Sequence, residues 1–268
     1  MSNLLLISSL LSIGSLYAHE LKNKSLSGIA GTPNYKVQGP LVSVVIPALQ
    51  EEDYIEFLLF SIENQTYEPI EVVIAESSNP ESKELTKKIA FEWGAKVIDV
   101  PFGNVCLSRN KGALETSGET IVFVDADCIL ASDFIEVITS DLDRGIILSH
   151  GIKCYYDSDF RNIPISMLNW VKPDSWVSGS GIAMRKVDFL AVGGFDEECN
   201  PAEVGRSEGR DLGRRVTNYF GSGSVILNKR AILAEAARRP LRFSPRLWPE
   251  RGWRKGEAIE RIRMRLAL

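Results

Sequence analysis

Four apolar residues, Ile121-Val122-Phe123-Val124, run straight into Asp125-Ala126-Asp127, and Gly118-Glu119 ends whatever precedes them. A short run rich in β-branched and aromatic side chains, bounded by turn signals, reads as a buried strand. Two carboxylates then stand where that strand leaves its sheet. In an open α/β sheet this carboxyl edge is where ligands bind. Two residues apart on a regular strand, Asp125 and Asp127 point the same way. Acidic groups placed together repel unless a cation sits between or beside them. Oxygen ligands of this kind suit Mg2+ or Mn2+, with phosphate oxygens completing the shell. A bare Asp-x-Asp is also what a solvated strand end looks like, so the rest of the chain has to decide.

The 268 residues suffice for one large domain or two small ones, and 44% hydrophobic with 25% charged residues is an ordinary globular balance. The net charge of −4 is unevenly spread: from Lys229 onward there are 12 Lys/Arg against 4 Asp/Glu. An acidic body with a basic tail predicts that the tail meets something anionic, phospholipid or acidic glycan. Cys106, Cys128, Cys154 and Cys199 are widely spaced with no C-x-x-C, which argues against a zinc ribbon and for a reduced, cytoplasmic setting. Residues 4–17 are rich in leucine and isoleucine but too short for a confident membrane span. They lack the basic leader of a signal peptide and read as an amphipathic helix lying on a membrane or on the domain. With the tail, they predict peripheral contact with the inner membrane face.

Residues 21–40 carry the Lys, Ser, Gly, Asn and Pro of a linker. Strands are expected at residues 41–46, 72–75, 96–100 and 121–124. Helical patterns lie between them: Ile55, Leu58, Leu59 and Ile62 after a capping Asp53, then Leu85, Ile89 and Trp93, then Leu107, Ala113 and Leu114. This alternation predicts right-handed βαβ units around a mostly parallel sheet with helices on its faces. Pro47, Glu76, Pro101 and Asp125 end successive strands on one rim. No G-x-G-x-x-G or G-x-x-x-x-G-K-[ST] loop is present, which disfavours dinucleotide and P-loop enzymes. Beyond Gly145 the pattern becomes mixed. Strands are expected at residues 146–148 and 152–156, a pocket-lining loop at 170–180, a tight turn at 192–196, and a helix after Asp211 through Val216 and Tyr219. The predicted organisation is an N-terminal segment and linker (1–40), a main domain (41–228) with halves 41–128 and 129–228, and a basic tail (229–268).

Six segments together resemble the family 2 glycosyltransferases, inverting enzymes of the GT-A fold. Residues 42–52, VSVVIPALQEE, resemble the opening strand V-S-V-V-I-P-x-Y-N-E, and 71–81, EVVIAESSNPE, are similar to E-V-I-V-V-D-x-x-S-x-D. Residues 107–112, LSRNKG, resemble A-R-N-x-G, and 118–127 resemble G-E-x-I-x-F-x-D-A-D. Residues 179–184 with 192–196 resemble the acceptor-side segment ending V-G-G-F-D, and 207–215 resemble E-D-x-D-L-x-x-R. The order is right and the coverage runs from Val42 to Arg215.

The resemblance implies a GT-A, Rossmann-type sheet with a smaller mixed acceptor half, and transfer of a sugar from a UDP- or GDP-linked donor to a glycan, lipid or other hydroxyl acceptor, with no nucleic-acid partner. It implies that Glu76 holds the base, that Asp125 supports the ribose and diphosphate side, and that Asp127, with Asp125, binds Mn2+ or Mg2+. It extends the donor site to Pro47, Ala48, Glu51, Arg109 and Ala126, and the acceptor side to Trp176, Gly179, Ser180 and Gly181. The chemistry is coherent: a departing sugar diphosphate develops negative charge that a divalent cation neutralises. A carboxylate on the opposite face takes the acceptor's proton.

Departures accompany the match. Leu49-Gln50 replace the usual Tyr-Asn, and Glu76 and Glu81 replace aspartates. Gly209 stands where the family has the aspartate proposed as base, flanked by Glu208 and Asp211. Of these two, Glu208 has the longer reach, and Gly209 is expected to leave room beside the sugar for it. Asp211, just before Leu212, reads as a helix cap. His150 is expected to be structural, and Trp170 and Trp176 either to stack on a sugar or to pack in the core. The competing readings are a nucleotidyltransferase of related fold and a catalytically inactive nucleotide-sugar binding protein.

Overall fold

The computed structural model describes residues 2–199 and 207–236, opening with helices α1 (Ser2–Ser25) and α2 (Ser27–Ala30). A βα alternation follows: β1 (Val37–Ala48), α3 (Ile55–Glu63), β2 (Tyr67–Glu76), α4 (Pro80–Glu92), β3 (Lys96–Asp99), α5 (Val105–Leu114) and β4 (Thr120–Phe123). The second half holds β5 (Cys128–Leu130), α6 (Phe134–Asp143), β6 (Leu148–Tyr155), α7 (Asp159–Val171) and β7 (Ile182–Arg185). It finishes with α8 (Lys186–Ala191), α9 (Glu208–Phe220) and β8 (Val225–Glu235). All eight strands form one sheet in the order β3-β2-β1-β4-β7-β6-β8-β5. The first four are mutually parallel, β7 runs antiparallel to β4 and β6, and β8 is parallel to β6 but antiparallel to β5.

Alternation along β1 builds two cores. Val42, Val44 and Ile46 face α3 and α6, meeting Leu58, Ile62, Ile135 and Ile138. Val45 faces the other way, with Cys106 and Ala113 of α5, Phe189 of α8 and Leu212 and Val216 of α9. Because side chains alternate with a period of two, each β-branched residue of β1 serves one face, and both faces are covered. A third cluster joins Leu21 of α1, Leu26 between the two helices and Ile29 of α2 to Phe57, Phe60, Ile152 and Ile232.

The foot of β4 is fixed by a polar latch. Glu71 of β2 accepts hydrogen bonds from the Ser43 hydroxyl and from the backbone N–H groups of Ser117 and Gly118. Ser43 in turn accepts from the Gly118 N–H at 2.9 Å. Burial works against the Glu71 charge, but these hydrogen bonds hold its carboxyl below the usual range.

Several elements differ from expectation. Residues 21–40 are not a linker throughout: the chain is helical through most of residues 21–30, and β1 begins at Val37. Trp170 belongs to α7, not to a loop. Asp53 does not cap α3, whose N-cap position is Tyr54 with no side-chain cap bond. The division at 228/229 falls inside β8, so the first residues assigned to the basic tail are sheet. Residues 237–268 lie outside the described residues. No described helix is long and apolar enough to cross a membrane.

Candidate active site

The parallel register sets Val45 beside Phe123 and Ala48 beside Glu76, so β1, β2 and β4 release their chains on a common edge. Pro47 and Ala48, Ser77, and Asp125, Ala126 and Asp127 all emerge there and line a cavity of about 880 Å³. Leu49, Glu51, Asn104, Ser108 and Arg109 extend one wall, and Tyr155, Arg161, Glu197, Cys199, Glu208, Glu235 and Ala236 close the rest. That volume falls in the range of small-molecule and cofactor sites.

Arg109 is the centre of its polar network. The Asn104 side chain starts α5 by accepting from the Leu107 N–H at 3.0 Å, and Arg109 enters from this helix only 1% exposed. Its Nη2 donates to Asp125 Oδ1 at 2.6 Å and its Nη1 to Glu208 Oε1 at 3.1 Å. The guanidinium also stands 5.1 Å from the centre of the Phe195 ring. Burial disfavours its charge, yet the two carboxylates beside it raise its pKa above the ordinary value. A buried cation is stable only when paired and hydrogen-bonded in this way.

The aspartates do not lie on a regular strand, because β4 ends at Phe123. They occupy a turn closed by the Cys128 N–H donating to the Asp125 carbonyl at 3.2 Å. The Asp125 N–H donates to Ser180 Oγ at 2.9 Å, and the Asp127 carbonyl accepts from the Ala236 N–H at 3.1 Å. Asp125 thus spends one carboxylate oxygen on Arg109, whereas Asp127 is 9% exposed and borders the cavity. Glu235 reaches the same cavity from β8, and Lys153 Nζ donates to its two oxygens at 3.0 and 2.8 Å. Burial raises the Glu235 carboxyl and Lys153 opposes that, while Asp125 and Asp127 add to the rise.

Glu208 is the first residue of α9 and lines the cavity. Gly179 makes its position possible: a Cβ there would lie 2.2 Å from Glu208 Oε1. Gly209 does something other than expected. It is buried, and a Cβ there would lie 2.5 Å from the Ser178 carbonyl oxygen. It lets α9 start against the backbone of residues 177–178, which fills the space beside its Cα. Asp211 is not a cap either, since the N-cap position is Ser207. Its carboxylate pairs with Arg214 at 2.6 Å and Arg215 at 2.7 Å, and Arg215 Nη1 donates onward to the Val192 carbonyl at 2.6 Å. Asp211 is not among the residues lining the cavity.

Glu76 is fully buried just before the cavity-lining Ser77. Its Oε1 accepts the Ser78 N–H at 2.6 Å, and its Oε2 has no hydrogen-bond partner among the described residues. Trp176, Gly179, Ser180 and Gly181 are not among the residues that line the cavity. Trp176 carries the Arg210 guanidinium 4.6 Å from its ring centre, Ser180 braces Asp125, and the Gly181 N–H donates to the Phe123 carbonyl at 2.8 Å. His150 is buried away from the cavity, its Nε2 2.7 Å from the Asp174 carbonyl. The sequence reading missed Asn104, Tyr155, Arg161, Glu197 and Glu235. For Asn104 a signal existed, since an Asn just before a helical run is a preferred N-cap.

The model of the family described as Glycosyl transferase family 2 matches residues 43–191. The 4,4'-diaponeurosporenoate glycosyltransferase of Staphylococcus haemolyticus is 27% identical over 211 residues, 69% of this chain and 55% of that protein. The uncharacterized glycosyltransferase EpsJ of Bacillus subtilis is 28% identical over 124 residues, 46% of this chain and 36% of the relative. The chain spans from 14% to 55% of the length of the curated relatives it matches. Among solved structures, S. aureus TarS 1-349 in complex with UDP-GlcNAc superposes with a TM-score of 0.58 at 18% identity, covering 74% of this chain and 59% of that one. The mannosyltransferase PcManGT from Pyrobaculum calidifontis, in complex with GDP-Man and Mn2+, gives 0.58 at 17% identity over 87% of this chain and 68% of its own. These likenesses show the GT-A fold. Since the family match covers more than half of its 268 residues, the chain belongs to glycosyl transferase family 2.

Proposed function

We propose that the chain transfers a sugar from a UDP- or GDP-linked donor to an acceptor hydroxyl with inversion, with Glu208 as the base. The observation that carries this is the Arg109 bridge, which holds Asp125 and Glu208 on one cavity edge. The nucleotide sugars held by TarS and PcManGT support the donor class. Glu76 Oε2, buried with no partner among the described residues, suits an N–H of the nucleobase.

The donor's diphosphate lies along the aspartate turn, in the cavity that Pro47, Ala48 and Glu51 also line. Arg109 bonds Oε1 of Glu208 and so fixes the carboxylate's direction. The other oxygen takes the proton as the acceptor oxygen attacks the anomeric carbon on the face opposite the leaving diphosphate. Among the described residues no group of three or more His, Cys, Asp or Glu holds a metal unaided. The hard-oxygen pair Asp127 and Asp125 nevertheless fits Mn2+ or Mg2+, which often take one or two carboxylates and complete their shell with substrate phosphates. When bound, such a cation neutralises charge developing on the diphosphate. Attachment to the inner membrane face is part of this reading, supported by the apolar residues 4–17 in α1 and the basic residues after β8.

The test is incubation of the chain with UDP-, GDP- and dTDP-sugars plus Mn2+, with and without Glu208→Gln. Nucleoside diphosphate release that Glu208→Gln slows by about 10²–10⁴-fold supports the assignment. Unchanged release in Glu208→Gln moves the base elsewhere. Pyrophosphate release indicates a nucleotidyltransferase, and donor binding without turnover indicates an inactive binding protein.

A further inference from the structure

α7 presents an unusual outer surface. Its buried side is polar, with Asn162, Ser166 and Asn169 facing inward. The Asn162 side chain bonds both backbone groups of Tyr155, Ser166 Oγ donates to the Gly14 carbonyl at 3.2 Å, and Asn169 Nδ2 donates to the Lys153 carbonyl at 2.9 Å. The outward arc carries Pro164, Leu168 and Val171, with Met167 and Trp170 at its border with α1, where Met167 lies beside Gly14 and the Trp170 ring stands 5.4 Å from that of Tyr17. Val171 is 77% exposed, Trp170 53%, Met167 43% and Leu168 39%. Positions 164, 167, 168 and 171 repeat at helical spacing, so they form one continuous stripe. A soluble helix normally shows the opposite polarity, and contiguous exposed apolar surface marks an interaction site.

Cations collect at the C-terminal end of this stripe. Lys172 follows Val171 directly, Lys229 Nζ donates to the Trp170 carbonyl at 3.0 Å, and Arg210 stacks on Trp176. Burial, with the charges of Lys153 and Arg210 nearby, pushes Lys172 down to about 8. The neighbouring Asp174 is turned away, its Oδ1 accepting the Leu227 N–H at 2.9 Å. At the other end, Arg161 stands over the Tyr155 ring at 5.8 Å and lines the candidate active site. Arg161 shares the arc of Pro164 and Leu168, at offsets of three and seven residues.

We propose that the outer face of α7 is a docking surface for an anionic phospholipid bilayer. Met167, Leu168 and Val171 would enter the acyl boundary, with Trp170 at the headgroup level and Lys172, Lys229 and Arg210 against lipid phosphates. A tryptophan with an apolar body and a polar edge, flanked by cations, is the composition such a boundary selects. The arrangement sets the cavity mouth beside the lipid surface through Arg161, so the acceptor enters with its headgroup from the bilayer side. This deepens the membrane reading given above and adds to it the outer face of α7, which packs beside α1 through Ser166 and Gly14.

The test is flotation of the full chain with vesicles of phosphatidylcholine containing phosphatidylglycerol. It compares the wild type with the triple variant Met167→Glu, Leu168→Glu, Val171→Glu and with a milder Val171→Gln. Melting temperature reports folding. The expected result is co-flotation of wild type, a loss of at least about tenfold in the bound fraction for the triple variant, and weaker binding at high salt. In wild type, brominated lipid is expected to quench the Trp170 emission, identified by its loss in Trp170→Phe. Wild type that floats as well as the folded triple variant, with no quenching, overturns the surface assignment while leaving membrane attachment standing. Wild type that stays at the bottom overturns both. A chain that self-associates through this face, seen as a dimer by sedimentation that the triple variant abolishes without any vesicle binding, also overturns it.

Discussion

Gly179 and Glu208 occupy one space: the point where a Cβ of residue 179 would stand lies 2.2 Å from the carboxylate oxygen that Arg109 holds. The blocking contact is the tip of a flexible side chain, so Gly179→Ala has an outlet in rotation of Glu208 away from Arg109. That rotation leaves the buried Arg109 with Asp125 alone of its two carboxylates, so the variant is expected to fold but to melt below wild type. Its kcat for nucleoside diphosphate release is expected to fall by about tenfold or more, with the KM for donor little changed. Steady-state kinetics beside a thermal melt separate these effects, and an active Gly179→Ala would argue against Glu208 as the base.

Gly209 obeys a different constraint, because the atoms its Cβ would meet are the backbone carbonyls of Ser178 and Val177. Backbone cannot swing aside. Gly209→Asp, which restores the family's residue, is expected to lose about 1–3 kcal/mol of stability by overpacking and to gain no activity. Urea denaturation and the donor assay on the same preparation check both halves.

Asp127→Ala is expected to abolish Mn2+-dependent nucleotide binding while the protein stays folded, since the Arg109 pairs with Asp125 and Glu208 are kept in the variant. Calorimetric titration of UDP and GDP with and without Mn2+ reads this directly. Full turnover of wild type in excess chelator would count against a metal.

Asp211 is expected to matter for stability. Burial opposes its charge, but hydrogen bonds and charge from Arg215 and Arg214 hold its carboxyl below the usual range. A lowered folded pKa means the contribution is present above the unfolded value of about 4 and is lost as pH falls below it. Asp211→Asn is expected to cost about 0.5–1 kcal/mol at pH 7 with kcat nearly unchanged. The deficit should shrink as pH falls below about 4 in denaturant titrations.

His150 acts in a separate window. Burial, with the Lys172 charge, lowers its pKa to about 4, so the folded protein holds it neutral. The unfolded chain binds a proton near pH 6.5, so stability is intact above that and falls as pH drops from 6.5 towards 4. The loss is about 3 kcal/mol across that window for an otherwise isolated group. His150→Gln is expected to flatten that part of the pH profile of the urea midpoint.

Much of the parallel half was legible because its strands are apolar runs with clean stops, and the aspartate turn, Arg109 and Glu208 fell inside recognisable segments. β8 was not legible, because Asn228-Lys229-Arg230 separates Val225-Ile226-Leu227 from Ala231-Ile232-Leu233-Ala234. That interruption coincides with the register shift opposite Gly151 and Ile152. Glu235 went unseen with it. α7 was hidden by Pro164 inside it and by a polar face that is the buried one. The roles of Gly179 and Gly209 depend on which chain lies across them, something no local pattern reports.

The latch of Glu71 on Ser43, Ser117 and Gly118 turns β4 into a measuring rod. One end is fixed to the neighbouring strands, and only Thr120–Phe123 pairs before the aspartate turn begins. A residue added or removed anywhere between the latch and Asp125 is therefore carried undiminished to the far end. It turns the carboxylates to the opposite face of the sheet. Changes of length are tolerable in the loop that precedes the latch, whereas the rod's own residue count is set by the distance from Gly118 to the cavity.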